Sequence, residues 1–262
     1  MTVKSIEINY IVEFIINSVT GAGKKGCVVG VSGGVDSAVV ATLCKRAFPN
    51  TTHLVAMPEA FTAIDAPEYE NRPSTIRAEE LALCLATDLI YDPVLFNASK
   101  MSGHTDLAQG NYCARMRMAK LYYHAERTQS LVVGTDNATE AYLGFYTKYG
   151  DGGVDINPLG EFLKNEVYEL ARLLYVPTAI IKAVPSAELY EGQTDEDEIG
   201  YSYEYLDAAI RMLRGYPKGE ETNKFVYDED KLMGAIKKVS DMYKKSAHKR
   251  QTPPVLNRSS HI

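Results

Sequence analysis

The run Gly30-Val31-Ser32-Gly33-Gly34-Val35-Asp36-Ser37 follows directly on the apolar stretch Cys27-Val28-Val29. Gly33 and Gly34 have no Cβ, so they permit positive φ and let backbone N–H groups approach an anion closely. Ser32 and Ser37 offer hydroxyls, and a helix starting near Val35 would point the positive end of its dipole at the same place. These are the parts of a phosphate-binding turn, yet the lysine such turns usually carry is missing and Asp36 stands near its place. A bare carboxylate and a phosphate repel strongly at low effective dielectric. A divalent cation between them removes the conflict, and magnesium takes one or two carboxylates together with phosphate oxygens and water. Asp36 is therefore read as a metal ligand, which calls for a second carboxylate from another strand end. Glu140, one turn into a helix that follows Gly134-Thr135, is the best candidate.

The elements that must position these groups alternate along the chain. A short buried strand over 26–31 precedes a helix from Val35 to Phe48, and His53 to Pro58 reads as a second strand. A helix opens at Ser74, read as its cap, and a third strand is expected within 87–94. Residues 112–128 have helical spacing, Ser130 to Thr135 is another strand, and the next helix starts with Asp136 as its cap. This repetition predicts a doubly wound α/β fold: a parallel sheet with helices on both faces, and ligands at the carboxyl ends of the strands. Beyond residue 160 strand signals fade, and extra C-terminal helices are expected at about 162–174, 202–214 and 229–245. The 59–74 connection has no strong period, and a connection of that length is often functional. The acidic 191–200 stretch reads as a solvated loop.

The balance of 262 residues, 45% hydrophobic and 24% charged, suits a soluble globular protein, and no apolar run is long enough to span a bilayer. Glu7 and Glu13 interrupt the N-terminal apolar positions, which excludes a signal peptide there. Ile8, Ile11, Val12, Ile15 and Ile16 recur at helical spacing, giving an amphipathic helix suited to a subunit interface. Cys27, Cys44, Cys84 and Cys113 form no CxxC pair, so they read as buried reduced thiols of a cytoplasmic protein rather than zinc ligands or disulfides. A net charge of −6 makes nucleic acid a poor default partner.

The Ser32–Ser37 loop resembles that of the ATP pyrophosphatases. Four further segments, 110–118, 134–160, 185–207 and 247–250, resemble the ammonia-using NAD synthetases, and the likeness runs from about residue 5 to 254. It implies an ATP-dependent ligase. The nicotinate carboxylate of deamido-NAD would attack the α-phosphate of ATP, release pyrophosphate and form an adenylate; ammonia would then displace AMP to give NAD. It also implies Mg²⁺ on Asp36 and Glu140, and ATP contacts from Gly30, Val31, Ser32, Gly33, Gly34, Val35, Asp36, Ser37, Thr135, Lys164 and Ser186. Asp36, Lys148 and Lys164 would carry the catalysis. Arg115, Lys148, Asp155, His248 and Lys249 would hold deamido-NAD, the C-terminal pair reaching in from the neighbouring subunit of a homodimer. Arg117 is the alternative to Arg115, and Asp151 either shapes its loop or touches ligand.

Three residues bear separately on that picture. Lys164 opens a helix, where a cation opposes the dipole and a phosphate partner would compensate; the bland alternative is a surface lysine. Asn137 stands where the family often has a basic residue, and "KKSAHKR" by itself reads as a solvated helix end. The 191–200 stretch resembles a loop that orders over the site to exclude water. The chain reads as one domain, 1–262, without an amidase domain, so free or borrowed ammonia is its expected nitrogen source. The competing readings are a tRNA-modifying ligase of the same loop type and a nucleotide binder without turnover.

Overall fold

The computed structural model describes residues 5–60, 71–95, 106–186, 194–215 and 227–256. Four parallel strands make the central sheet: β1 (Gly26–Gly30), β2 (Thr52–Ala56), β4 (Leu89–Tyr91) and β6 (Ser130–Val132), in the order β4-β2-β1-β6. The chain builds outward from β1 to β2 and β4, then returns to place β6 on the other side of β1. The strand order thus reverses between β1 and β6, and the loops leaving these two strands face each other across a crevice.

The strands are apolar on both faces because both faces are covered. Cys27, Val29, Leu54, Leu131 and Val133 point into one core with helices α1 (Ser5–Gly21), α2 (Val35–Ala47), α6 (Lys164–Leu173) and α7 (Thr178–Ile181). Val28, Val55 and Val132, the alternate residues, point into a second core with Cys113, Leu121 and Ala125 of α4 (Asp106–Thr128). This is the doubly wound arrangement expected from the sequence. A third cluster joins α5 (Ala138–Leu143), α9 (Tyr203–Leu213) and α10 (Glu229–Lys245), the extra C-terminal helices.

Several local expectations are corrected. The single strand expected within 87–94 is two: β4, and then β5 (Val94–Leu95), which pairs with β3 (Glu59–Ala60) in a separate ribbon. Pro93 lies at the break and has no N–H to give a ladder. Helix α3 (Pro73–Cys84) starts with Pro73 rather than a Ser74 cap, since proline suits the first helical position, where an N–H has no partner. The cap of α5 is Asn137, not Asp136: its Oδ1 accepts from Glu140 N–H at 3.0 Å while Glu140 Oε2 accepts from Asn137 N–H. The acidic stretch is partly helical, because Thr194 caps α8 (Asp195–Ile199). The first part of that expected loop, 191–193, and most of the 59–74 connection, 61–70, lie outside the described residues. Cys27, Cys44 and Cys113 are buried thiols as expected, but Cys84 is exposed. Of α1, residues Ile8, Ile11, Ile15 and Val19 are buried, with Val12 and Ile16 at the margin.

Candidate active site

The phosphate loop is held in shape by its own hydroxyls. Ser37 Oγ donates to Gly34 O at 3.0 Å and accepts from Ser32 N–H at 3.2 Å, and Gly34 N–H donates to Ser32 Oγ at 3.2 Å. Only Gly33 takes the left-handed conformation, φ +78°, and a Cβ there would lie 2.2 Å from Ser74 O. Gly34 instead has φ −90° as the residue before α2, so of the two glycines only Gly33 uses the freedom to take a positive φ. Arg77 of α3, which sequence reasoning missed, donates from Nε to Gly33 O at 2.8 Å. Gly30 ends β1, and Val31 and Val35 are buried anchors on either side of the turn.

Asp36 sits in the first turn of α2, and Glu140 in the first turn of α5, on the far side of the crevice. The two carboxylates meet at Lys164, the first residue of α6. Its Nζ lies 2.6 Å from Asp36 Oδ2 and 3.1 Å from Glu140 Oε1. The surface-lysine alternative is thereby excluded: Lys164 is 3% exposed, and the Tyr203 ring lies 5.0 Å from Nζ. Burial works against its charge, but Asp36 and Glu140 outweigh it and hold the ammonium well above the ordinary lysine range. The compensation at this helix start, expected from a phosphate, comes in the structure from two carboxylates. Asn137, the residue that departed from the family pattern, adds a bond from Nδ2 to Asp36 Oδ1 at 2.9 Å.

The site carries surplus negative charge. Burial pushes the Glu140 carboxyl up to about 7, Lys164 pulling it down and Asp36 adding to the rise. Asp136 is also pushed well above the usual carboxylate range, by burial and by the charges of Asp151, Glu140 and Asp36. Asp36 and Glu140 each turn one oxygen to the Lys164 ammonium, and by chemistry this pair of hard carboxylate donors suits a divalent cation shared with phosphate oxygens.

Of the other expected ATP contacts, Thr135 lies in the turn after β6, next to Gly134, whose N–H donates to Ile156 O. Ser186 follows Pro185, whose carbonyl accepts from Asp195 N–H, on the α8 side of Lys164. A cleft of about 700 Å³ opens here, lined by Asn165, Tyr168, Arg172, Lys182, Glu196 and Tyr203.

A second, basic cleft of about 280 Å³ lies between the 146–152 loop and the C-terminal segment, with Lys148, Lys249 and Arg250 in its wall. Lys148 Nζ donates to His248 O at 2.5 Å and Gln251 O at 3.0 Å. Lys249 donates to Gly144 O and Tyr146 O, so the 3₁₀ helix Ala247–Lys249 seats against the same chain's 144–148 loop. Gly144 must be glycine for this: a Cβ on it would lie 2.1 Å from Ser246 Cβ. Burial lowers the Lys249 ammonium, Asp151 opposing and Arg115 and Arg250 adding. Arg115 thus belongs to this basic group. Arg117 does not: it lies on the other side of α4, where its guanidinium donates to Met57 O and pairs with Glu59 at 2.9 Å. Two residues apart on one helix, the two arginines point to opposite sides of it. Asp151 Oδ1 accepts from Thr147 N–H at 2.7 Å, shaping the loop, and Thr147 Oγ1 donates to Asn111, which sequence reasoning did not single out. Asp155 is tied to the end of the sheet, accepting from Val132 N–H at 2.8 Å and Tyr122 OH at 3.1 Å.

Fold and site together define an α/β nucleotide-binding protein whose carboxylates and phosphate loop meet at the switch point of a parallel sheet. The family model for NAD synthase matches residues 7–253, and the chain belongs to that family. It is 41% identical over 251 residues to the NH(3)-dependent NAD(+) synthetase of Methanosarcina acetivorans, covering 94% of this chain and 96% of that one. It is 40% identical to the corresponding protein of Archaeoglobus fulgidus, over 94% of each. Among solved structures, NMN synthetase from Francisella tularensis superposes with TM-score 0.77 at 32% identity, covering 96% of this chain and 97% of that one. No described helix is long and apolar enough to cross a membrane.

Proposed function

We infer that this protein amidates deamido-NAD with ammonia to form NAD, consuming ATP through a nicotinyl-adenylate and releasing AMP and pyrophosphate. The observation that carries the reading is the meeting of Asp36, Glu140 and Lys164 at the phosphate loop of a chain in the NAD synthase family.

A carboxylate resists ammonia until one of its oxygens becomes part of a good leaving group. The nicotinate oxygen forms a bond to the α-phosphorus of ATP, and the bond from that phosphorus to the bridging oxygen breaks, its electrons leaving on pyrophosphate. Ammonia nitrogen then bonds to the acyl carbon, AMP departs with the carbon–oxygen electrons, and the nitrogen loses a proton. Ser32 and Gly34 spend their N–H groups inside the turn, so the backbone N–H groups at the start of α2 are the ones that face the departing pyrophosphate, and the Lys164 ammonium adds positive charge there. Positioning does most of the work, since no protein nucleophile is needed. Asp36 and Glu140 are the residues that would hold Mg²⁺, which when bound neutralises charge on the phosphates. Thr135 and Ser186 complete the ATP contacts.

The basic cleft takes the dinucleotide, with Arg115, Lys148 and Lys249 for its phosphates and His248 and Asp155 beside it. We further propose that the protein works in the cytoplasm as a homodimer. Ile6, Tyr10 and Phe14, exposed at 54%, 61% and 45% on the outer side of α1, give an apolar patch for pairing.

The Francisella neighbour is described as an NMN synthetase, which supports a second reading with a mononucleotide acceptor. One experiment separates them: incubate the protein with ATP, Mg²⁺, an ammonium salt and either deamido-NAD or nicotinate mononucleotide, and quantify all products. Equal NAD, AMP and pyrophosphate, with no NAD when any one substrate is omitted, supports the first reading. Preferential amidation of the mononucleotide replaces it with the second. ATP cleavage dependent on neither acceptor points to another ligase, and no cleavage at all to a binder.

A further inference from the structure

Neither the phosphate loop nor the strand ends call for α9, yet this helix reaches the Asp36–Glu140–Lys164 cluster with two residues one turn apart. Tyr203 places its ring under the Lys164 ammonium and donates its hydroxyl to Asp195 Oδ2 at 2.9 Å. Asp207, four residues on and so on the same helix face, is 3% exposed. Its two oxygens go to two other helices. Oδ1 accepts the hydroxyl of Thr139 in α5 at 2.5 Å, and Oδ2 accepts the N–H of Asn165 in α6 at 2.9 Å. Thr139 Oγ1 in turn accepts the N–H of Lys164 at 3.0 Å. Thr139 immediately precedes Glu140, and Asn165 immediately follows Lys164. One buried carboxylate therefore grips the neighbours of the two residues whose side chains must meet.

We propose that Asp207 and Thr139 are positioning residues for the amidation, locking the first turns of α5 and α6 together so that Glu140 and Lys164 face Asp36 before substrates bind. The inference rests on the synthetase reading above. Helix N-termini carry N–H groups with no intrahelical acceptor, and here those of Lys164 and Asn165 are satisfied by groups that also fix the neighbouring helix. A site held by such a supporting layer keeps its geometry without reorganising at the moment of reaction. The arrangement also has a stability cost. Burial pushes the Asp207 carboxyl up to about 6 against the hydrogen bonds from Thr139 and Asn165; Glu166 adds to the rise, and Arg211, paired with Glu166 at 2.7 Å, opposes it. Tyr227 is the other titratable group whose surroundings include Asp207. A carboxylate whose ionisation burial makes costlier than in water, and which still links two catalytic helices, is better explained by geometry than by fold strength.

The test compares Thr139→Val, which keeps the shape and removes the hydroxyl, with Thr139→Ser, which keeps the hydroxyl, and with Asp207→Asn. For each, kcat, the KM for deamido-NAD and the thermal midpoint at pH 8 are measured. Thr139→Val and Asp207→Asn are expected to lower kcat about tenfold or more, the range seen when groups behind a site's first layer are lost, with KM for deamido-NAD changed less than about twofold. Thr139→Ser keeps kcat within about threefold of wild type, and the double variant Thr139→Val, Asp207→Asn is about as slow as the slower single one, because both remove the same bond. Asp207→Asn melts no lower than wild type. The proposal is overturned by wild-type kcat in Thr139→Val, by equal impairment of Thr139→Ser and Thr139→Val, or by rate losses that follow the loss of folded protein. Wild-type protein that makes no NAD overturns the synthetase reading, and the positioning role with it.

Discussion

Asn137 Nδ2 lies 2.9 Å from Asp36 Oδ1, joining the residue that caps α5 to the carboxylate that follows the phosphate loop. The same side chain accepts from Glu140 N–H through its other atom, and it is fully buried. It therefore spans the crevice between the β1 and β6 loops and sets how the two carboxylates approach each other. A basic side chain here could pair with Asp36 but would have no oxygen for the cap. Asparagine supplies both a donor and an acceptor.

The two roles of Asn137 are separable. Asn137→Asp keeps an oxygen for the cap but aims a carboxylate at Asp36. Its denaturation midpoint should stay closer to wild type than that of Asn137→Ala, which loses a cap worth roughly 1 kcal/mol. Its turnover should nonetheless fall at least about tenfold, since like charges at this distance disfavour the ionised pair. Equal activity in Asn137→Asp and wild type would break the assignment of the Asp36 contact.

Lys164 neutralises two carboxylates in a buried place. Lys164→Met should abolish NAD formation and destabilise the fold by about 3–5 kcal/mol at pH 8, the range for removing one partner of a buried ion pair. With the ammonium gone, the Glu140 carboxyl moves further above its value of about 7, so protonation restores part of the lost stability. The fall in urea midpoint from pH 6 to pH 8 should be larger in this variant than in wild type, and an equal or smaller fall would show that the lysine is not the main counter-charge.

The wild type should also carry a signature of its raised carboxyls. Glu140 is raised from 4.5 to about 7, and Asp207 from 3.8 to about 6. Between the unfolded and folded values the native state binds more protons than the unfolded chain, so these groups lower stability as pH rises. Their stabilising effect is fully present below about pH 4 and is lost as pH rises through about 6 for Asp207 and about 7 for Glu140. Each shift corresponds to a few kcal/mol at roughly 1.4 kcal/mol per pH unit. Denaturant titrations from pH 5 to 8 would read the slope, and Asp207→Asn should flatten its lower half.

Lys148 sits in the basic cleft and tethers the C-terminal segment. Lys148→Ala should raise the KM for deamido-NAD about tenfold or more, the loss of a charge-assisted contact, with KM for ATP nearly unchanged. A parallel rise in both constants would move Lys148 out of the dinucleotide site and leave it only the tether to His248 and Gln251.

The sequence alone determined the elements whose signals are local. Alternating apolar strands and helix-spaced runs do not depend on neighbours, so the sheet, its covering helices and the phosphate loop were legible, as was the pairing of Asp36 with a carboxylate from another strand end. Lys164 was visible only as a cation in an unfavourable place. That its compensation comes from Asp36 and Glu140 depends on β6 lying beside β1, a relation that local patterns do not encode. The same holds for Asp207, read from the chain as one more helix residue. Its role arises because α9 packs against the first turns of α5 and α6, where N–H groups need acceptors from elsewhere. Arg115 and Arg117 are two residues apart, and only the packing of α4 on the sheet decided which faces the basic cleft and which pairs with Glu59. Chemistry that resides in one loop can be read along the chain; chemistry divided among three helix starts needs the tertiary fold to bring its charges together.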